Sequence, residues 1–186
     1  MSAGFSFEVR GALRHDLPSV QALMRSVIAR DYGYEVSARW HEDVLDPGRF
    51  FLDNPRHALL VAVGADGAVL GTAGVRVLRI TAPPHPGWVV ARYDHQRTAE
   101  LTRVFVDPSA RRSGIGAALV RAARARVALA GGFDVIAFHS RTAVDFWRAM
   151  PTREIADTRV ADGLGPEGGQ VYFEMDVQDP SASSAV

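Results

Sequence analysis

Two glycines, Gly114 and Gly116, stand where an apolar, β-branched run hands over to a long amphipathic one, and no other feature restricts the folding of this chain as much. Before them, Glu100-Leu101-Thr102-Arg103-Val104-Phe105-Val106 reads as a strand, and Asp107-Pro108-Ser109-Ala110-Arg111-Arg112-Ser113 as the loop leaving it. After them, Ile115, Leu119, Ala123 and Val127 recur every four residues, which predicts a helix over 114–130, stopped by Gly131-Gly132. A strand, a glycine turn and a helix start in that order suit an anion. The first amides of a helix lack an internal partner and carry the positive end of its dipole, and residues without side chains let a pyrophosphate come close to the backbone. Arg111 and Arg112 add donors for charge-assisted hydrogen bonds.

Several folds use glycine turns this way, and composition separates them. All 21 basic residues are arginine, and lysine and cysteine are both absent. A Walker loop needs lysine after its second glycine. A dinucleotide fingerprint would place its first glycine directly after the strand and a third at the position of Leu119. Schiff-base catalysis, cysteine nucleophiles and cysteine metal sites are excluded with the missing residues. Ser113 lacks the glycine two positions earlier that a nucleophile elbow requires, and His41-Glu42 is followed by Leu45 where a zinc-protease helix needs its second histidine. No metal is expected. The 21 arginines balance 21 acidic residues, so no net field draws the molecule to nucleic acid or an anionic membrane. Arg121, Arg124 and Arg126 read as the solvated face of the long helix.

The rest of the chain supplies alternating strands and helices around this centre. Residues 5–10 alternate as a half-buried strand does; Asp16 stands at an N-cap position ahead of Pro18, and Val20, Leu23, Met24, Val27 and Ile28 form one apolar stripe of a helix over 17–30. A second helix is expected over 38–45, strands over 58–63 and 69–80 joined by Gly64-Ala65-Asp66-Gly67, a long proline-containing connection over 81–98, a strand over 133–139, a helix over 143–150 and a last strand over 170–177 after a glycine-rich turn at 163–169. Residues 1–177 are expected to form a single domain and 178–186 a disordered tail. No apolar run nears the ~20 residues a membrane span requires, and the N-terminus lacks the order of a secretory signal, so a soluble cytoplasmic protein is expected.

Arg111-Arg112-Ser113-Gly114-Ile115-Gly116 resembles the Gln/Arg-x-x-Gly-x-Gly/Ala motif of the GNAT N-acetyltransferases. The likeness extends outward: residues 100–108 are similar to that family's central strand, and residues 140–150 to its second cofactor segment, Asn-x-x-Ala-x-x-Phe-Tyr. The fold this implies is of the α/β class (α+β type): a mixed, mostly antiparallel central sheet of about six to seven strands flanked by helices, with a splayed central strand.

The resemblance also implies roles. Acetyl-CoA would be the cosubstrate, its pantetheine pairing with the backbone at Val104, Phe105 and Val106, its pyrophosphate held by Arg111, Arg112, Ser113, Gly114, Ile115 and Gly116, with Ser140 at the second segment's asparagine position. Glu100 stands where many members carry the general base that deprotonates an amine acceptor, a small molecule or a peptide N-terminus. On strict alternation Glu100 would share a face with Thr102 and Val104. Trp147 occupies the place of the tyrosine that often protonates the departing thiolate, and indole cannot serve as that acid. A thiol pKa of about 8.5 makes coenzyme A a tolerable leaving group as its anion. Two readings therefore stand at this point: an N-acetyltransferase working by direct attack in a ternary complex, or a non-catalytic acyl-CoA-binding or sensor module. A homodimer is left open.

Overall fold

The structure, a computed structural model, describes residues 6–82, 85–159 and 169–178. Among the described residues seven strands and five α-helices follow one another as β1 (Phe7–Gly11), α1 (Leu17–Val27), α2 (Glu42–Leu45), β2 (Ala58–Gly64), β3 (Val69–Val77), α3 (Gly87–Ala91), β4 (Thr98–Val106), α4 (Ile115–Ala130), β5 (Val135–Ser140), α5 (Val144–Arg148), β6 (Arg153–Asp157) and β7 (Val171–Asp176). The strands form one sheet in the order β1-β2-β3-β4-β5-β7-β6. It is mixed: β4 and β5 run parallel, and the pairs β1–β2, β2–β3, β5–β7 and β6–β7 are antiparallel. The expected sheet of six to seven mostly antiparallel strands is the one observed. Among the described residues no helix is long and apolar enough to cross a membrane.

Two compact units make up the chain, Met1–Arg76 with Leu101–Arg126 and Val77–Glu100 with Val127–Val186. In the first, the stripe of α1 packs Val20, Leu23, Met24, Val27 and Ile28 with Val44, Phe51, Leu59, Val61 and Phe105 into one core. β3 contributes by what it lacks. A Cβ on Gly71 would stand 2.9 Å from Leu119 Cδ1 and 3.0 Å from both Ile115 Cγ2 and the Phe105 carbonyl oxygen, so α4 can lie against the strand only because no side chain intervenes. At Gly74 the same atom would stand 2.8 Å from the Phe51 ring.

In the second unit, β5 and β7 pair from Val135–Asp176 to Ser140–Val171. One face carries Phe138, whose ring lies 4.4 Å from that of Trp147 and 5.4 Å from that of Phe173. The other face carries Ala137, under Leu78, Ile80, Val90 and Tyr93 from the connection between β3 and β4.

Local departures from the sequence expectations have local causes. Asp16 does begin α1, but its carboxylate turns back to the Leu13 N–H (2.7 Å) and takes two bonds from Arg10 (2.7 and 3.0 Å), so it caps nothing in the helix ahead. After Val27 the chain widens into a five-residue turn, Ile28–Tyr32, which ends at Gly33 in left-handed geometry (φ 72°). Continued as an α-helix, the stripe would put Asp31 three residues after Ile28 and four after Val27; instead Tyr32 packs on the core. The second helix is shorter than expected. His41 Nδ1 accepts from the Ser37 N–H at 3.0 Å, and that closed turn delays the helix to Glu42. The connection over 81–98 holds α3, and β6 is a strand that the sequence pattern does not announce. The expected glycine-rich turn lies outside the described residues up to 168, and the expected tail lies outside them from 179 on.

Candidate active site

β4 is irregular at its middle. Arg103 has a left-handed backbone (φ 51°), a conformation that costs an ordinary L-residue on the order of 1–2 kcal/mol. Its guanidinium offsets that cost by a bidentate pair with the buried Asp43 of α2, Nε to Oδ2 at 2.7 Å and Nη2 to Oδ1 at 2.9 Å. The kink shifts the strand's alternation. Thr102 lies beside Gly74 and Phe51, and it is Phe105, not Val104, that joins Phe51 in the core. The expectation that Val104 follows Thr102 on one face is corrected accordingly, because an extra residue in left-handed geometry breaks a period of two. Val104 and Val106 are half-buried, and with the Phe105 ring in the core only its backbone is open to a cofactor role.

From Val106 the chain passes through a short turn, Pro108–Ala110, capped by Asp107, whose carboxylate accepts the Ser109 N–H at 2.9 Å. Arg112 (φ 65°) and Gly114 (φ 87°) are both left-handed, while Ser113 between them is not. Alternation of this kind points successive N–H groups into one concavity, a nest for an anion. The first intrahelical bond of α4 runs from the Ala118 N–H to the Gly114 carbonyl at 3.0 Å, which leaves the amides of Ile115, Gly116 and Ala117 without a helical partner. A Cβ built on Gly114 would meet no atom within 4 Å. The turn thus presents open space, converging amides and a helix dipole, and these residues fit a diphosphate.

Around this turn the side chains are already engaged. Ser113 Oγ donates to the Ala110 carbonyl at 2.5 Å and so braces the nest. Arg111 donates from Nε to the Val106 carbonyl at 3.3 Å and from Nη2 to the carboxylate of Asp31. Nothing in the sequence pattern singled out Asp31. Arg112 is exposed.

Glu100 belongs to the second unit. It is 2 % exposed, and its carboxylate accepts the Arg79 N–H at 3.1 Å. The parallel ladder of β4 and β5 pairs Thr98 with Val135, Ala99 with Ile136 and Glu100 with Ala137, and ends there although both strands continue. Ala137 in turn pairs with Glu174, and Glu174 with Arg153. Residues directly opposite on neighbouring strands share a face, so Glu100, Ala137, Glu174 and Arg153 form one row. Glu174 is 3 % exposed and gathers Arg92 (3.0 and 3.1 Å), the Tyr93 hydroxyl (3.0 Å) and Arg153. Burial raises the Tyr93 phenol, so it stays a donor at neutral pH. Further along β7 on the same strand pair, Tyr172 opposes His139, and its hydroxyl lies 3.0 Å from His85 Nδ1, with burial pushing the phenol up to about 12. Residues 85–93 are therefore tied to the sheet at two places.

Ser140 ends β5, buried, with its hydroxyl donating to the Thr142 carbonyl. That bond closes the turn into α5, whose Trp147 is buried against Phe138 and Phe146. Among the described residues no group of three or more histidine, aspartate and glutamate side chains is placed to hold a metal ion.

The sheet thus has a parallel pair at its centre, and a glycine nest opens the helix that follows the central strand. The sequence pattern of the Acetyltransferase (GNAT) family matches residues 22–150, and the chain belongs to that family. It is an acetyltransferase by that membership, and acetyl-CoA is the family's cosubstrate. Solved structures agree on the fold. A GNAT acetyltransferase from Staphylococcus aureus Mu50 superposes with a TM-score of 0.69 at 14% identity, over 93% of this chain and 100% of that one. A GCN5-related N-acetyltransferase from Kribbella flavida gives 0.63 at 25% identity, over 91% and 97%. A phosphinothricin acetyltransferase from Sinorhizobium meliloti, solved in complex with acetyl-CoA, gives 0.69 at 18% identity, over 95% and 91%. Among curated proteins none matches the chain.

Proposed function

We propose that residues 1–177 work as one N-acetyltransferase domain that moves the acetyl group of acetyl-CoA to a primary amine by direct attack in a ternary complex. The observation that carries this reading is the nest at Arg112–Gly114 ahead of α4, open to solvent and lined by amides without helical partners. Acetyl-CoA supplies an activated acyl group as a thioester. Arg111, Arg112, Ser113, Gly114, Ile115 and Gly116 hold its diphosphate, and the backbone of Val104, Phe105 and Val106 runs beside its pantetheine. Ser140 serves by shaping the turn rather than by its hydroxyl, which is already bonded to Thr142.

An ammonium has no lone pair, so the acceptor must lose a proton before or during attack. Glu100 takes that proton, directly or through one water, its carboxylate held in place by the Arg79 N–H. The amine nitrogen then forms its bond to the carbonyl carbon, the carbonyl oxygen becomes an oxyanion, the nitrogen gives its second proton to water, and collapse breaks the C–S bond to leave a neutral amide and the coenzyme A thiolate. A backbone amide near Val106 is the donor for the oxyanion, a contribution of about 3 kcal/mol for one well-placed donor in comparable sites. The thiolate leaves unaided or takes a proton from solvent.

One observation favours the second reading, a non-catalytic acyl-CoA-binding module. Trp147, at the position of the family's usual acid, is packed into an aromatic cluster, and its indole N–H is far too weak an acid to protonate a thiolate. Free-thiol release from acetyl-CoA over a panel of small amines and peptides separates the two. Turnover that falls in Glu100→Gln with coenzyme binding intact supports the transferase; tight coenzyme binding with no turnover on any acceptor supports the module.

A further inference from the structure

Arg111 opens the glycine motif, yet its long side chain is held from two sides. Nε donates to the Val106 carbonyl at 3.3 Å and Nη2 to Asp31, leaving both Nη1 hydrogens without a partner among the described residues. Asp31 lies in the widened turn Ile28–Tyr32, and it also accepts from Arg30 Nε at 2.9 Å. Two guanidiniums share the Asp31 carboxylate and also lie in electrostatic reach of Asp107, so the four groups carry no net charge, and what the clamp offers a phosphate is a fixed pair of Nη1 donors rather than a net field. The Arg111 side chain is 42% exposed, and without the clamp it would sample many rotamers over open solvent.

We propose that Asp31 is a positioning residue for coenzyme binding: it fixes the Arg111 guanidinium beside the nest, so that the diphosphate meets an ordered donor. This rests on the reading of the nest as the diphosphate site. Burial pushes the Asp31 carboxyl up, but the hydrogen bonds from Arg30 and Arg111 outweigh it and keep the group ionised, as a clamp requires. The opposite role, a carboxylate competing with phosphate for Arg111, has the opposite sign and is decided by the same measurement.

The test is calorimetric titration of coenzyme A into the wild-type chain, Asp31→Asn, Asp31→Glu, Arg111→Ala and the Asp31→Asn/Arg111→Ala double variant, with folding checked by circular dichroism. Arg111→Ala is expected to weaken binding roughly tenfold, through loss of a charge-assisted bond. Asp31→Asn should weaken it roughly fivefold, as an ordered side chain regains its freedom, and Asp31→Glu should recover part of that. The double variant should bind like Arg111→Ala alone, because without the arginine there is nothing to orient. In turnover, Asp31→Asn should raise KM for acetyl-CoA and leave kcat unchanged. Asp31→Asn binding as tightly as the wild type or more tightly, or adding its full effect to that of Arg111→Ala, would overturn the clamp while leaving the nest intact. No binding by the wild-type chain would overturn both.

Discussion

Glu100 and Glu174 stand in one row of the sheet, two strands apart, with Ala137 alone between them. Strand spacing puts their Cα atoms roughly 10 Å apart on a common face, and both are almost wholly buried. Their surroundings part them. Glu174 is closed in by two arginines and a phenol, and the contacts of Glu100 include the backbone amide of Arg79. The same residue type is thus an ionic anchor in one place and a candidate proton acceptor in the other.

Glu100→Gln keeps the size of the side chain and can still accept the Arg79 N–H, so the fold should hold. Removal of a general base should lower kcat by about 10²–10⁴-fold, with the Kd for coenzyme A unchanged. Stopped or continuous thiol-release assays beside calorimetry read both numbers, and an undiminished kcat removes Glu100 from the mechanism.

Glu174→Gln should act on stability first. It leaves Arg92 and Arg153 without their carboxylate; both are partly exposed, so the loss should be near 2 kcal/mol rather than the ~3–5 of a fully buried pair. For a chain of this length that lowers Tm by roughly 4–8 °C. Amide exchange should rise in residues 85–93, which this carboxylate ties to the sheet. A Tm within a degree of the wild type would show that the anchor is dispensable.

Gly114→Ala tests the nest without adding a clash, since the new methyl would meet open space. The cost comes from φ 87°, and about 1 kcal/mol of stability should go. If the turn instead relaxes to a right-handed backbone, the amides diverge and coenzyme A binding should weaken roughly tenfold. Equal affinity in the variant would remove the nest as the site of the diphosphate.

Asp16 makes a prediction about acid. Hydrogen bonds from Arg10 hold its carboxyl down at about 2, against an ordinary 3.8, so the folded state binds the proton later than the unfolded state does. The stabilisation is complete above the unfolded value and is lost as pH falls from about 4 towards 2. Its size is at most roughly 2 kcal/mol, because the partly exposed Arg10 is screened by water. Denaturant titrations at pH 5 and pH 1.5 should show Arg10→Ala less stable than the wild type at the higher pH and nearly equal to it at the lower.

Much of this site is legible in the amino-acid sequence, and for identifiable reasons. The left-handed turn at Gly114 ahead of α4, which the proposed site uses, is announced by glycine spacing, and the α1 stripe from Val20 to Ile28 reveals its buried side by period. The left-handed turn at Arg103 is not legible there, because arginine has no intrinsic preference for it; a partner 60 residues away, Asp43, holds it in place. Asp31 is hidden for the same reason, since the guanidinium that ties it to the glycine turn is 80 residues away in sequence. Glu174 does leave a trace: it is the one charge within Val171-Tyr172-Phe173-Glu174-Met175, and a charge inside an apolar strand calls for partners. Those partners, Arg92 and Tyr93, sit in a connection whose polar residues have no period to follow.

Gly71 has no part in the chemistry, yet the near contacts of its missing methyl with Leu119, Ile115 and the Phe105 carbonyl fix how deep α4 seats on the sheet. A single carbon there would lift the opening turn of the helix, and with it the amides of the proposed anion nest, by a few tenths of an ångström. On the proposed reading of the nest, coenzyme affinity therefore depends on a residue forty positions upstream of Arg111, in a strand outside the turn.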